Sequence, residues 1–427
     1  MGGHPDHGRD GDRTDQAVIT GFGAITPAGN DREATWRNLI AGTPAVGPIT
    51  AFDASELPVR IAAEVRGFDP AAVLDRRRLR RMARFSQFAV AAAREAVADA
   101  GLVIGDGNAD RIGAVINAAV AGFDTVETAT RHVAASEQAG GSTPLSPYFV
   151  ASSLANMPAC EVSIDLGVHG PVLASALACA SGIAALVQAR QLILSGEADA
   201  VICGGTDAGI TPVMFAGLIP TGALSRRNDD PAGASRPFDA DRDGFVYGEG
   251  AVVAVVESAE HAARRGATPY AGLAGSALTA DAFHVSAPSP DGVFAAEAIR
   301  QALRRSGVAP GELDYVCAHA TATSAGDRAE TRAIRQALGG AADTVAVSSP
   351  KSMTGHLIGA AGALGAMVCA LAIRDGIVPP TINLKTPDPD CDLDCVPNVA
   401  RPMPVRTAIT NAFGFGGQNC VAVLTAP

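Results

Sequence analysis

The strongest constraint on the fold is a pair of helices without a polar face. The segment PVLASALACASGIAALVQARQLILSGEADAVICGG (171–205) reads as strand, tight turn, Ala-rich helix and returning strand. TVAVSSPKSMTGHLIGAAGALGAMVCALAIRDGIV (344–378) repeats that order at nearly the same spacing. A helix that is apolar all round must be covered on every side, and small residues at its start permit close backbone approach. A second matched pair, DGFVYGEGAVVAVVES (243–258) and NAFGFGGQNCVAVLTAP (411–427), runs from an aromatic residue through a Gly-rich turn into a strand. Continuous apolar strands alternating with helices predict mostly parallel sheets buried on both faces. The expected architecture is an α/β/α/β/α sandwich built from two duplicated halves, residues 16–260 and 261–427. Residues 1–15 are expected to form a disordered lead-in.

Composition narrows the partners. A net charge of −11 argues against a general binder of nucleic acid or anionic membrane. The apolar run Leu357–Ile373 is 17 residues long and dominated by Ala and Gly, which suits a buried core helix better than a membrane span. The eight cysteines lie mostly singly in apolar contexts, as expected of reduced thiols in a cytoplasmic protein. Cys391 and Cys395 have loose metal spacing but no second Cys/His pair nearby, so no metal is expected. Gly21-Phe22-Gly23 lacks the third glycine of a dinucleotide fingerprint, Pro27 interrupts the helix that should follow, and no phosphate loop is present. No bound cofactor is expected.

Four places could carry chemistry. Cys179, in ACASG, falls after a strand and in the first turn of the first apolar helix. There the helix dipole and free amides favour a nucleophilic thiolate, although a buried cysteine can equally be inert core. His319 (AHATAT) and His356 (SMTGH) follow strands at positions where ligand sites of parallel sheets gather; a lone histidine in either place can be a structural hydrogen-bonder. Lys351 is one of only two lysines in the chain and lies in the same motif as His356. The loop Phe413-Gly414-Phe415-Gly416-Gly417 places flexible backbone amides beside bulky rings, which suits an oxyanion-donor loop or an ordinary hairpin entry.

Together ACASG, AHATAT, SPKSMTGH and NAFGFGGQN resemble the active-site segments of the elongating β-ketoacyl-acyl-carrier-protein synthases, in the same order and spacing. The resemblance extends from about Ala17 to the C-terminus through GFGAITPAGN, SPYFVASSLANMPA, LSRRNDDPAGASRPFDADRDGFVYGEGA and IVPPTINL. It implies a thiolase-like fold and a decarboxylative condensation of a malonyl thioester with an acyl group carried on Cys179. By the same resemblance, His319 and His356 stabilise the enolate and the Cys179 and Phe415 amides hold the oxyanion. Thr321 and Thr323 contact the pantetheine arm, with Phe413 beside them. Phe415 is the gate, and Val120 limits the acyl pocket. The implied partners are an acyl carrier protein and a second chain, in a homodimer or in a heterodimer with a homologous chain-length subunit.

Two positions depart from the family pattern. Gly365 stands where a Glu usually pairs with the motif Lys, which leaves Lys351 without its usual acidic partner, and Ala320 replaces the glycine of an HGT motif. Both leave room for a ketosynthase subunit of a dissociated polyketide pathway as the alternative to fatty-acid elongation. A non-catalytic chain-length or scaffold subunit is a third reading, against which Cys179, His319 and His356 all argue. Arg76, Arg77, Arg78, Arg80, Arg81 and Arg84 place six cations in nine positions of an acidic chain. Such a run can be a plain solvated face. The resemblance makes it the docking surface for an acidic carrier protein, with Arg76, Arg77, Arg80 and Arg81 as contacts and Arg227 added to the patch.

Overall fold

The computed structural model describes residues 16–141 and 144–427, so the expected lead-in 1–15 lies outside the described residues. Ten strands form the main sheet: β1 Ala17–Ile25, β2 Ile112–Asn117, β3 Val172–Leu173, β4 Ala200–Asp207, β5 Gly250–Ser258, β6 Ala271–Ala280, β7 Tyr315–Cys317, β8 Ala346–Ser348, β9 Thr407–Gly414 and β10 Gln418–Thr425. Their spatial order is β8-β7-β9-β10-β6-β1-β5-β4-β2-β3. Five strands from residues 17–258 therefore lie on one side and five from 271–425 on the other. Among the described strands, the two leaves pair where Val18 and Ile19 of β1 meet Gly272 and Ala271 of β6.

The sheet is mixed, not mostly parallel as the sequence predicts. β2 is parallel to β3 and β4, and β7 to β8 and β9. Around the middle, β1–β5, β4–β5, β6–β10 and β9–β10 are antiparallel. Continuous apolar runs report burial on both faces, which is the same for either strand direction. The matched segments also diverge at one end. After the first apolar helix the chain returns as β4, whereas Ile377–Val378 pairs only with Arg401–Pro402 in a separate ribbon. Pro379 and Pro380 follow at once and cannot donate to a ladder, so the second leaf receives its strand later, as β9.

Six helices make the layers: α1 Arg84–Ala100, α2 Met157–Leu166, α3 Ser181–Leu194, α4 Val293–Ser306, α5 Ser324–Leu338 and α6 Ala361–Asp375. α1 and α2 cover the outer face of the first leaf, and α4 and α5 that of the second. α3 and α6 are the two apolar helices and lie between the leaves, giving a five-layered α/β/α/β/α sandwich. Residues 361–372 are buried on every side. Ile358–Asp375 is long and apolar enough to cross a membrane, but 83% of it is buried inside the fold.

The two central helices touch backbone to backbone. A Cβ on Gly182 would lie 2.5 Å from the Ala363 nitrogen and 2.8 Å from the Gly359 oxygen, and one on Gly362 would lie 2.8 Å from the Ile183 nitrogen. No side-chain rotation relieves a collision with backbone. Gly182→Ala should therefore lower unfolding free energy by about 3 kcal/mol in urea titration. Gly217→Ala, whose Cβ would meet nothing within 4 Å, should be neutral or slightly stabilising.

Candidate active site

The site forms where the two matched turns enter the central helices. Before α3 the chain makes a tight turn at Ala178–Ala180, and before α6 it makes the same turn at Ile358–Ala360. Both open with a non-glycine residue in the left-handed region, Ala178 at φ +46° and Ile358 at φ +51°. Such conformations cost about 1–3 kcal/mol and persist only where the surroundings impose them. Ser181 fastens the first turn: its Oγ accepts from Leu177 N–H at 2.9 Å and donates to the Ala178 carbonyl at 2.8 Å.

The turn buries Cys179, and His356 meets it from the second half, with Nε2 3.0 Å from Sγ. His356 Nδ1 accepts from the Ile358 amide at 3.3 Å, so the ring proton of the neutral imidazole resides on Nε2, facing the sulfur. His319 packs edge-on to His356 at 5.4 Å between ring centroids, and Phe413 backs His319 at 5.9 Å. Burial, and then the Lys351 charge, hold both imidazoles well below their ordinary range, so at neutral pH each is uncharged. One nitrogen of a neutral ring donates, which suits an oxyanion.

Cys179 departs from the sequence expectation. Burial pushes its thiol up to about 11, and neither Lys351 nor the Phe415 and Cys179 amides bring it back. The resting sulfur is protonated, because desolvation outweighs the helix start. Donor atoms of Cys179, His319 and His356 all lie within 4.8 Å of one another, the spacing of a metal site. The Lys351 charge acting on all three favours an anion there over a cation.

Lys351 also differs from expectation, since it does have an acid in its field. Burial lowers it, while Cys317 and Glu330 oppose that fall. Glu330 comes from α5, not from the helix that carries Gly365. Its carboxylate accepts from the His319 amide at 2.8 Å, the Ala320 amide at 2.6 Å and Asn411 Nδ2 at 3.0 Å. Position 365 itself has no room for a side chain, because a Cβ would overlap Thr410 Oγ1 and crowd Cys317 Sγ. Sequence reasoning missed Glu330; its signal was an acid on the apolar side of an amphipathic helix, beside Ala329, Ala333 and Ile334. It also missed Asp207, whose carboxylate accepts from the amides of Ala119, Val120 and Gly359 at 2.8–3.0 Å. Burial raises Asp207 to about 6.

The other expected residues divide between the rim, the pocket and the surface. The Thr321 and Thr323 hydroxyls are 3.2 Å apart beside His319, and Thr323 caps α5. Phe415 is 42% exposed at the rim, whereas Val120 packs against an internal apolar cluster. Arg76, Arg77 and Arg80 are exposed and make no ion pair among the described residues. Arg78 pairs with Asp165, Arg81 lies 3.7 Å from Glu161, and Arg84 grips Glu249. Arg227 is half-buried and donates to the Asp241 carbonyl at 3.1 Å.

Alkylation of Cys179 by iodoacetamide checks the protonation state. Its rate, followed by mass spectrometry, should climb steadily with pH toward about 11. A plateau between pH 6 and 8 would instead reveal a resting thiolate.

The β-ketoacyl synthase N-terminal domain model matches residues 14–262, and the C-terminal domain model residues 270–385. The chain is 47% identical over 404 residues to 3-oxoacyl-[acyl-carrier-protein] synthase 2 of Synechocystis sp., covering 95% of this chain and 96% of that one. Against the enzyme of the same name from Coxiella burnetii the identity is 45% over 410 residues, covering 96% and 98%. Among solved structures, the ishigamide ketosynthase/chain length factor superposes with a TM-score of 0.89 at 37% identity, covering 96% and 99%. A type II PKS ketosynthase, solved in complex with its acyl-carrier protein and bound to the hexaketide, gives 0.89 at 32% identity over the same shares. With both domain models matched and 45–47% identity along nearly its whole length, the protein belongs to the β-ketoacyl synthase family.

Proposed function

We propose that the protein is a condensing acyltransferase that joins an acyl group held on Cys179 to a malonyl group on an acyl carrier protein. The observation that carries the reading is the Cys179 sulfur 3.0 Å from His356 Nε2, with His356 Nδ1 occupied by the Ile358 amide. In the first step the Cys179 sulfur attacks the acyl thioester. An S–acyl bond forms, and the carrier thiol leaves with the proton given up by Cys179. The amides of Cys179 and Phe415 hold the tetrahedral oxyanion. The malonyl thioester then enters and loses carbon dioxide, and its electron pair passes into an enolate whose oxygen accepts from His319 and His356. The enolate carbon attacks the acyl-Cys carbonyl, the C–S bond breaks, and the Cys179 thiolate takes up a proton from solvent as the 3-oxoacyl thioester departs.

Around that centre, Lys351 and Glu330 hold the charge balance, Thr321 and Thr323 bind the pantetheine arm, Phe415 gates entry and Val120 bounds the acyl pocket. The halves 16–260 and 261–427 contribute Cys179 on one side and the two histidines on the other. Phosphopantetheine arrives with the carrier, and no resident cofactor or metal is invoked. Eight free thiols suit a reducing cytoplasm. Arg76, Arg77 and Arg80 are the free cations for an acidic carrier, assisted by Arg81 and Arg227. A second ketosynthase-like chain covers β3, the outermost strand, where Leu173, Tyr148, Val150, Leu154 and Ile164 are exposed. The likeness to a ketosynthase/chain length factor at a TM-score of 0.89 favours a second reading, the ketosynthase subunit of a polyketide system paired with a chain-length partner.

Incubation with acyl- and malonyl-carrier protein should yield acyl-Cys179 by mass spectrometry and a 3-oxoacyl product. His319→Ala should still be acylated, yet condense about 10²–10³-fold more slowly. Product formation by Cys179→Ala would falsify the reading. Charge reversal at Arg77 and Arg80 should raise the carrier KM about tenfold at low salt and flatten its salt dependence. Purification from the native host with a homologous second subunit would decide for the polyketide assignment.

A further inference from the structure

Tyr247 is a buried phenol that the mechanism above does not use. Its side chain is 1% exposed, and its hydroxyl has no hydrogen-bond partner among the described residues. Most buried hydroxyls are paired, because an unpaired donor forfeits the bond it would make with water. The chain makes space for this one. A Cβ on Gly209 would overlap the Tyr247 oxygen, while the Gly209 backbone lies outside the left-handed region and would accept any residue. The steric reason for glycine at 209 is therefore the hydroxyl.

The direction of the side chain follows from backbone pairing. Tyr247 forms a parallel bridge with His356, in which the His356 amide donates to the Val246 carbonyl at 2.7 Å and the Gly248 amide to the His356 carbonyl at 2.9 Å. Directly paired residues project to the same face. Phe245, two residues back and on that face, packs edge-on to His356 at 5.6 Å. Since His356 reaches the Cys179 sulfur, Tyr247 lies on the Cys179 side of the bridged segment. Its ring belongs to the apolar cluster that contains Phe215, Ile210 and Ile358, against which Val120 and Met214 also pack. On the reading that Val120 bounds the acyl chain, that chain runs against this cluster, and a saturated one offers the phenol no acceptor. An oxo or hydroxy oxygen on the chain would supply one.

We propose that Tyr247, with space provided by Gly209, selects acyl groups that carry an oxygen along the chain beyond the thioester. This deepens the condensing-enzyme reading and rests on it. It also implies that the reactions supplying the acyl group leave at least one oxo or hydroxy group unreduced.

Single-turnover acylation of Cys179 tests this with pantetheine thioesters of hexanoate and of its 3-oxo and 5-oxo derivatives, read by intact-protein mass spectrometry. The wild type should favour one oxo isomer over hexanoyl by about tenfold. Tyr247→Phe removes only the oxygen and should bring that ratio near one, with hexanoyl transfer unchanged or faster. Gly209→Ala displaces the hydroxyl and should do the same; if it fails to fold, Tyr247→Phe still decides. An unchanged ratio in Tyr247→Phe, or no oxo preference in the wild type, overturns the proposal and leaves the condensing-enzyme reading standing. Absence of acylation by every thioester overturns both.

Discussion

The structure depends on a backbone contact between two helices at its centre. Gly182 of α3 and Gly362 of α6 let the helices approach so closely that each would drive a Cβ into the other's main chain. Gly205 of β4 joins the same contact against Gly359 and Gly182. That approach sets the two strained turns, Ala178–Ala180 and Ile358–Ala360, side by side. Cys179 enters from one turn, and His356, which faces it, comes from just before the other. Packing density in the middle layer thus sets the sulfur–imidazole distance, and a helix shift of one side-chain diameter would separate the two.

Burial then sets the electrostatics. With the donors out of water, desolvation is the largest influence on Cys179, His319, His356 and Lys351 alike, ahead of any single neighbour. Two uncharged imidazoles and a protonated thiol sit within the field of the Lys351 charge and present donors once negative charge develops. Pre-placed donors in a water-excluded site need no reorganisation at the moment of reaction. Glu330 contributes through geometry as well as charge. By taking the His319 and Ala320 amides it fixes the loop that presents the ring, and its field offsets part of the cost of burying Lys351.

The absence of an acid at position 365 of α6 is a matter of packing. Thr410 from β9 and Cys317 from β7 occupy the space beside Gly365, so a Gly365→Glu change alone would collide with Thr410 before reaching Lys351. Tyr247 and Gly209 show the same logic in the apolar cluster around Phe215 and Ile358. In both places a large or polar side chain is matched by a glycine opposite. Such paired exchanges are invisible to any single-position reading.

Much of the fold was legible in the chain, because burial leaves a one-dimensional trace. Two helices with no polar face demanded a central layer, and the repeated strand–turn–helix order announced two leaves. Cys179, His319, Lys351 and His356 could be named because each stands in a short motif at the end of a strand. Strand direction could not be read, since an apolar run is equally buried either way. The protonation of Cys179 could not be read either: a helix start favours the thiolate locally, while desolvation comes from everything packed around it. Asp207 and Tyr247 lie far in sequence from the groups they meet, and Glu330 reaches across 81 residues to Asn411. The sequence by itself determined which segments are buried and which motifs carry the chemistry, both being local properties of neighbouring residues. The tertiary structure alone decided which charges are neutralised, which hydroxyl lacks a partner and which glycine makes room for it, because those depend on contacts between distant segments.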